Sequence, residues 1–179
     1  MRVRIDHSGN FAIRVNERAA FEYCDHYLMK FSIQNCRCRV HSELYCVAAT
    51  PENVDDCDGF GFSVNRMKDY LQNQNDRMKG FVYYSRIDNT PVGCIWVAYK
   101  GANEFQYRIR KVDAFGFDFA VRSEYRGQGI IGFMIYELLR KLEQEGIDTL
   151  YASVRRNNRS ALRAYEKCGA VIISRRKFF

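Results

Sequence analysis

The stretch Ala120-Val121-Arg122-Ser123-Glu124-Tyr125-Arg126-Gly127-Gln128-Gly129-Ile130-Ile131-Gly132 joins two different periodicities. Upstream of it, Val112 to Val121 reads as a strand. Downstream, Ile130, Ile131, Met134, Ile135, Leu138, Leu139 and Leu142 trace a helical stripe that ends at Gly146. Strand therefore meets helix through a turn whose small residues let the backbone bend tightly and present consecutive N–H groups. Because that turn opens a helix, the unpaired N–H groups and the positive end of the dipole converge on one spot and favour a phosphate there. The pattern is neither G-x-x-x-x-G-K-[ST] nor a dinucleotide G-x-G-x-x-G, so a different pyrophosphate is indicated. Glycines at a tight strand-to-helix turn also serve purely structural ends.

Further along, Thr149 to Val154 is strand-like, Asn158 to Cys168 reads as a second helix, and Ala170 to Ser174 as a last strand. Asn158 is a natural N-cap, and Tyr165, seven residues on, points from the same side of that helix. A cap plus a packed tyrosine accounts for the spacing equally well. Working backwards from the turn, Phe81 to Ser85 and Val92 to Tyr99 form an antiparallel pair joined by Arg86-Ile87-Asp88-Asn89-Thr90-Pro91. Met67, Tyr70-Leu71 and Met78 predict a short helix closed by Gly80, and Leu44, Cys46 and Ala48 alternate like a strand. From Glu17 to about Lys30, Phe21, Cys24 and Tyr27-Leu28 recur every three or four residues, which predicts a helix capped by Asn16. Val3, Ile5 and Phe11, Ile13, Val15 suggest a small hairpin about Ser8-Gly9-Asn10. Local strand pairs followed by alternating strands and helices indicate a mixed α/β sheet in one domain spanning residues 1–179.

Taken together, Ala120-Val121-x-x-x-Tyr125-Arg126-Gly127-x-Gly129-Ile130 and Asn158-x-x-Ala161-x-x-x-Tyr165-Glu166-Lys167-x-Gly169 resemble the GNAT acyltransferase superfamily. Asp88-Asn89-Thr90-Pro91-Val92-Gly93 looks like that family's turn between its second and third strands. The recognisable cofactor-binding core is residues 81–174, and 1–42 is an N-terminal extension. The resemblance implies the GNAT-type acyl-CoA N-acyltransferase fold and acetyl-CoA, or another acyl-CoA, as co-substrate. It places the pyrophosphate on Arg126, Gly127, Gln128, Gly129, Ile130, Ile131 and Gly132, and the pantetheine arm along Phe119-Ala120-Val121. It also places Asn158 and Ser160 beside that arm, and gives Tyr165 the task of protonating the departing thiolate. A phenol of ordinary pKa, about 10, is protonated at neutral pH and suits that task.

Transfer to an amine also needs a base. In Asp113 to Val121 strict alternation puts Phe115, Phe117 and Phe119 on one face and Ala114, Gly116, Asp118 and Ala120 on the other, making Asp118 the candidate base. His7, His26 and His41 fall outside the recognised region. Two departures from the family stand out. Ile131 occupies a place where Gly, Ala or Ser is usual, with Gly132 arriving one position late, so the helix start is expected to be shifted or crowded. The usual strand after that of Ala170 is missing, so the sheet edge is expected to be open or completed by a second copy in a homodimer.

Lys and Arg outnumber Asp and Glu by 28 to 21, which favours an anionic partner. Arg155, Arg156, Arg159, Arg163 and Arg175-Arg176-Lys177 lie near the second motif. A recognition helix, zinc spacing or stacking motif is missing, so nucleic acid is not the expected partner. Seven cysteines at 24, 36, 38, 46, 57, 94 and 168 show no paired C-x-x-C spacing, so thiols are expected and no metal. With no window approaching roughly 18 apolar residues, a cytoplasmic protein that acylates a primary amine is expected. The competing readings are a fold that binds acyl-CoA without turnover and a basic nucleic-acid binder.

Overall fold

The structure is a computed structural model that describes residues 2–5, 11–15, 18–73, 77–102 and 109–178. Its frame is a nine-stranded sheet made of β1 (Arg2–Ile5), β2 (Phe11–Val15), β3 (Arg18–Phe31), β4 (Leu44–Ala48), β5 (Met78–Ser85), β6 (Pro91–Ala98), β7 (Asp113–Val121), β8 (Thr149–Arg155) and β9 (Val171–Phe178). The helices are α1 (Val64–Asn73), α2 (Ile130–Gln144) and α3 (Arg159–Lys167). Strand order is β1-β2-β3-β8-β7-β6-β5-β4, with β9 also paired to β3. β4 to β7 form an antiparallel meander, and β7 and β8 are parallel. The mixed sheet and the order of its C-terminal half agree with the sequence. β1 pairs antiparallel with β2 as the hairpin reading requires, while the residues of its turn, His7 and the Asn16 cap lie outside those described.

One sheet face is covered by α2 and α3 through Ile130, Phe133, Met134, Leu138, Leu142 and Tyr165. The other lies under α1 and the turn Val54–Cys57, through Met67, Tyr70, Val54 and Cys57 against Trp96, Val82 and Phe115. Both faces of the central strands are thus covered, which is why β6 reads as an almost unbroken apolar run and not as an alternation.

That covering on both faces also corrects the reading of residues 17–30. The segment is β3, not a helix: Leu28 belongs to one core and its neighbour Met29 to the other, as successive strand residues must. Because Leu28 is buried on one face and Met29 and Phe31 on the other, apolar residues here need not alternate, so their spacing imitates a helix. β3 lies between β8, through His26↔Arg155 to Phe31↔Leu150, and β9, through Cys24↔Phe178 to Lys30↔Val171. The strand expected to be missing beside β9 is supplied by the same chain from its N-terminal side, while the other edge of β9 has no partner strand among the described residues.

The helix predicted to close at Gly80 ends at Asn73, and Gly80 lies inside β5. A Cβ at Gly80 would come within 2.7 Å of the Trp96 indole, so this glycine marks a close approach across the sheet and not a helix stop.

Candidate active site

β7 and β8 pair only from Asp113↔Thr149 to Gly116↔Ala152. Beyond that point the two strands part, β7 running on to Val121 and β8 to Arg155. The β8-facing edge of residues 119–121 therefore has no partner strand among the described residues, and its backbone groups are available to an extended ligand, as an unpaired sheet edge is.

A bulge in β7 shapes this opening. Asp118 has φ +48°, and the pairing with β6 slips between Cys94↔Ala120 and Trp96↔Phe117. Inserting one residue inverts the alternation from there on. Phe115 and Phe117 face the α1 side, whereas Phe119 joins the α2–α3 side, so the three phenylalanines do not share a face. The Phe119 ring crosses over Gly116, where a Cβ would run into it, and stands edge-on to Tyr165 at 5.7 Å. Asp118 does not line up with Ala114 and Gly116 either. Its carboxylate pairs with Arg66 of α1, so the candidate base and Tyr165 lie toward opposite faces of the sheet.

Tyr165, on α3, is buried between Phe119 and Phe31, the latter at 5.3 Å. Burial, with a smaller contribution from Cys168, pushes its phenol well above the ordinary tyrosine range, which keeps it protonated across neutral pH. Asn158 caps α3: its carboxamide oxygen accepts from the Ala161 N–H at 3.1 Å and from the Ser160 hydroxyl at 2.9 Å. The amide nitrogen of Asn158 is the part of that side chain left to face a ligand.

At the end of β7 the Arg126 Nε donates to the Val121 carbonyl at 2.9 Å, holding the glycine turn against the strand. Gly127 and Gly129 have φ of +80° and +84°, conformations that a side chain would strain. Gly129 is the N-cap of α2, and its carbonyl accepts from Gly132 and Phe133. Among the described residues, no carbonyl accepts from the N–H groups of Gly127, Gln128, Gly129, Ile130 or Ile131. A Cβ on Gly127 would meet nothing within 4 Å, and one on Gly129 only His41, so the turn has room for a diphosphate and donors to hold it. Ile131 does not intrude: it packs against the α2–α3 core. Gly132 serves another end, since a Cβ there would press on the Cys168 thiol at 3.3 Å, and its smallness lets α3 close on α2.

Of the residues the sequence singled out, 119–121, 126–131, Asn158, Ser160 and Tyr165 belong to this strand opening and the two helix starts beside it. Among the basic residues, Arg156 and Arg175 are engaged by Asp25, while Arg159 and Arg163 are exposed on α3. The sequence passes over Phe31 and Arg66, and it sets His41 aside as outside the recognised region. Phe31 and Arg66 arrive by tertiary pairing and leave no local signal, whereas His41-x-Glu43 is a weak one, a potential imidazole–carboxylate pair.

A family model described as the Acetyltransferase (GNAT) family matches residues 28–170. No curated protein matches the sequence. Solved structures that share the fold include a tandem GNAT protein from the clavulanic acid biosynthesis pathway, with a TM-score of 0.64 and 11% identity, covering 92% of this chain and 53% of its own. Another is a putative GNAT-family acetyltransferase from Novosphingobium aromaticivorans, with a TM-score of 0.60 and 16% identity over 87% of this chain and 62% of its own. A third is a GCN5-related N-acetyltransferase from Sphaerobacter thermophilus, with a TM-score of 0.63 and 17% identity over 85% of this chain and 49% of its own. This chain thus spans less than two thirds of the length of each. At such identities the structures speak for the fold, and the family model, extending upstream of the motifs into β3, speaks for descent: the chain belongs to the GNAT acetyltransferase family.

Proposed function

We propose that this protein transfers an acetyl or other short acyl group from acyl-CoA to a primary amine, by direct attack within a ternary complex. The observation that carries the reading is the junction of an unpaired β7 edge with a donor-lined glycine turn, an arrangement that suits an extended chain ending in a diphosphate. The co-substrate would supply a thioester, an acyl group already activated toward an amine. The N–H groups from Gly127 to Ile131 would bind its pyrophosphate, with Arg126 fixing the turn and Gly132 the seat of α2. Residues 119–121 would align the pantetheine arm by backbone hydrogen bonds, assisted by Asn158 and Ser160 at the start of α3. A backbone N–H near Val121 would polarise the acyl carbonyl.

Tyr165 would face the sulfur as it takes on charge. Its raised proton affinity, against about 8.5 for an ordinary thiol, suits a hydrogen bond to the thiolate better than complete loss of the proton. Asp118 is the candidate acceptor for the ammonium proton of the amine, reached from the α1 side, where Arg66 pairs with it. The amine would be a small molecule, an amino sugar or sugar nucleotide, or a protein amine.

Thermal unfolding with and without acetyl-CoA tests the reading. A ligand present at a hundred times its dissociation constant stabilises by about 2.7 kcal/mol, a clear rise in Tm. Such a rise, followed by thiol release with an amine in a screen, is the expected result, and no shift with any acyl-CoA would refute it.

A further inference from the structure

His41 is 2% exposed, yet only half of its ring is satisfied. Nδ1 lies 2.6 Å from the Glu43 carboxylate, an acceptor, and so carries the hydrogen of that bond. Nε2 is buried and has no hydrogen-bond partner. Buried polar atoms are nearly always paired, and a ring oriented by a carboxylate on one nitrogen leaves the other aimed at something. What it approaches is the start of α2, for Nε2 is the atom that a Cβ on Gly129 would meet, at 3.9 Å.

The residue is not on a loose loop. The His41 carbonyl accepts from Leu44 at 3.1 Å, the Glu43 carbonyl from the Arg86 N–H at 2.8 Å, and the Ser42 carbonyl from the Arg86 side chain at 3.0 Å. Phe133, one turn into α2, lies against the imidazole with ring centres 5.7 Å apart. The turn 41–44 is thereby fixed both to the sheet and to the helix whose first N–H groups find no carbonyl.

We propose that His41, oriented by Glu43, is a side-chain ligand for the anionic oxygen seated at the amino end of α2. Building on the function proposed above, that anion is the pyrophosphate of coenzyme A. Glu43 acts through His41 and is a positioning residue. To donate to an anionic oxygen Nε2 must carry a hydrogen as well as Nδ1, and the Glu43 carboxylate is placed to compensate the charge that the second hydrogen brings. A phosphate held only by backbone groups would not explain why a carboxylate-oriented imidazole is buried beside Gly129.

Calorimetric titration with coenzyme A and with pantetheine, which lacks the pyrophosphate, tests this on the purified chain. His41→Phe keeps an aromatic ring against Phe133 and removes the unpaired nitrogen. The ligand-free variant should melt no lower than wild type, yet bind coenzyme A about tenfold more weakly, as expected for one charge-assisted hydrogen bond. Pantetheine binding should be unchanged, and His41→Gln, whose amide can reach the Nε2 position, should recover part of the loss. Glu43→Gln should weaken coenzyme A binding in the wild-type background and have no further effect in His41→Phe. An unchanged affinity in a folded His41→Phe, or an equal loss for pantetheine, overturns the role of His41 and leaves the acyl-CoA reading standing. Failure of the wild-type chain to bind coenzyme A removes both.

Discussion

Tyr165 and Gly129 carry the most direct tests of the site, because each is defined by a single physical property. If the phenol hydrogen supports the departing sulfur, Tyr165→Phe should lower kcat on the order of a hundredfold and leave the dissociation constant for acetyl-CoA nearly unchanged, as steady-state kinetics and calorimetry would show. Gly129→Val forces a β-branched side chain into φ +84° and toward His41, so it should abolish the thermal shift given by acetyl-CoA. Asp118→Asn should slow turnover mainly at neutral and lower pH if the carboxylate takes the ammonium proton, and a rate profile equal to wild type across pH would remove it from the mechanism. Gly127, Gly129 and Asn158 could be found in the sequence because their signals are local: positive φ demands glycine, and a carboxamide three residues before an unpaired N–H makes a cap. The true direction of Asp118 was not legible. One left-handed residue turns the strand over, and nothing in Asp113 to Val121 announces which residue that is.

Among elements, β3 does most to hold the C-terminal half together, and Asp25 pins it. The Arg175 side chain of β9 donates to the Asp25 carboxylate, from Nε at 2.8 Å, and Arg156, just past β8, approaches at 3.5 Å. The hydrogen bond from Arg175 holds this carboxyl below its usual range, against the opposing effect of burial, with Arg156 assisting. The folded-state value is thus below the unfolded one, about 3.9. The stabilisation is complete above roughly pH 4 and is lost as pH falls through the folded-state value. Asp25→Asn should cost about 1–2 kcal/mol at pH 7, discounted because both guanidinium groups are half exposed. In urea unfolding the gap between variant and wild type should narrow below pH 4. Met29, fully buried in the same strand, should cost about 2–5 kcal/mol on truncation to Ala, whereas a solvent-facing helical position would cost far less. The sequence concealed β3 because two of its three partners, β8 and β9, lie more than a hundred residues away, and a strand covered on both faces carries no period of its own.

For the molecule as a whole, the excess of 28 basic over 21 acidic residues should act on the encounter with an anionic ligand. Raising salt from about 50 to 500 mM shortens the screening length from more than 10 Å to about 4 Å. The association rate of coenzyme A should then fall severalfold in stopped-flow measurements, with a smaller change in dissociation. Among the described residues no helix is long and apolar enough to cross a membrane. The position of β3 has a last effect, on the timing of folding in the cell. Asp25 is made early, but its partner Arg175 follows 150 residues later and Ser153, the partner of His26, 127 later. On a ribosome, then, residues 24–31 of β3 wait beside the exit without the two strands that flank them. Synthesis must run almost to Arg175 before that strand can be enclosed, which makes the nascent chain a natural client for a holding chaperone throughout that interval.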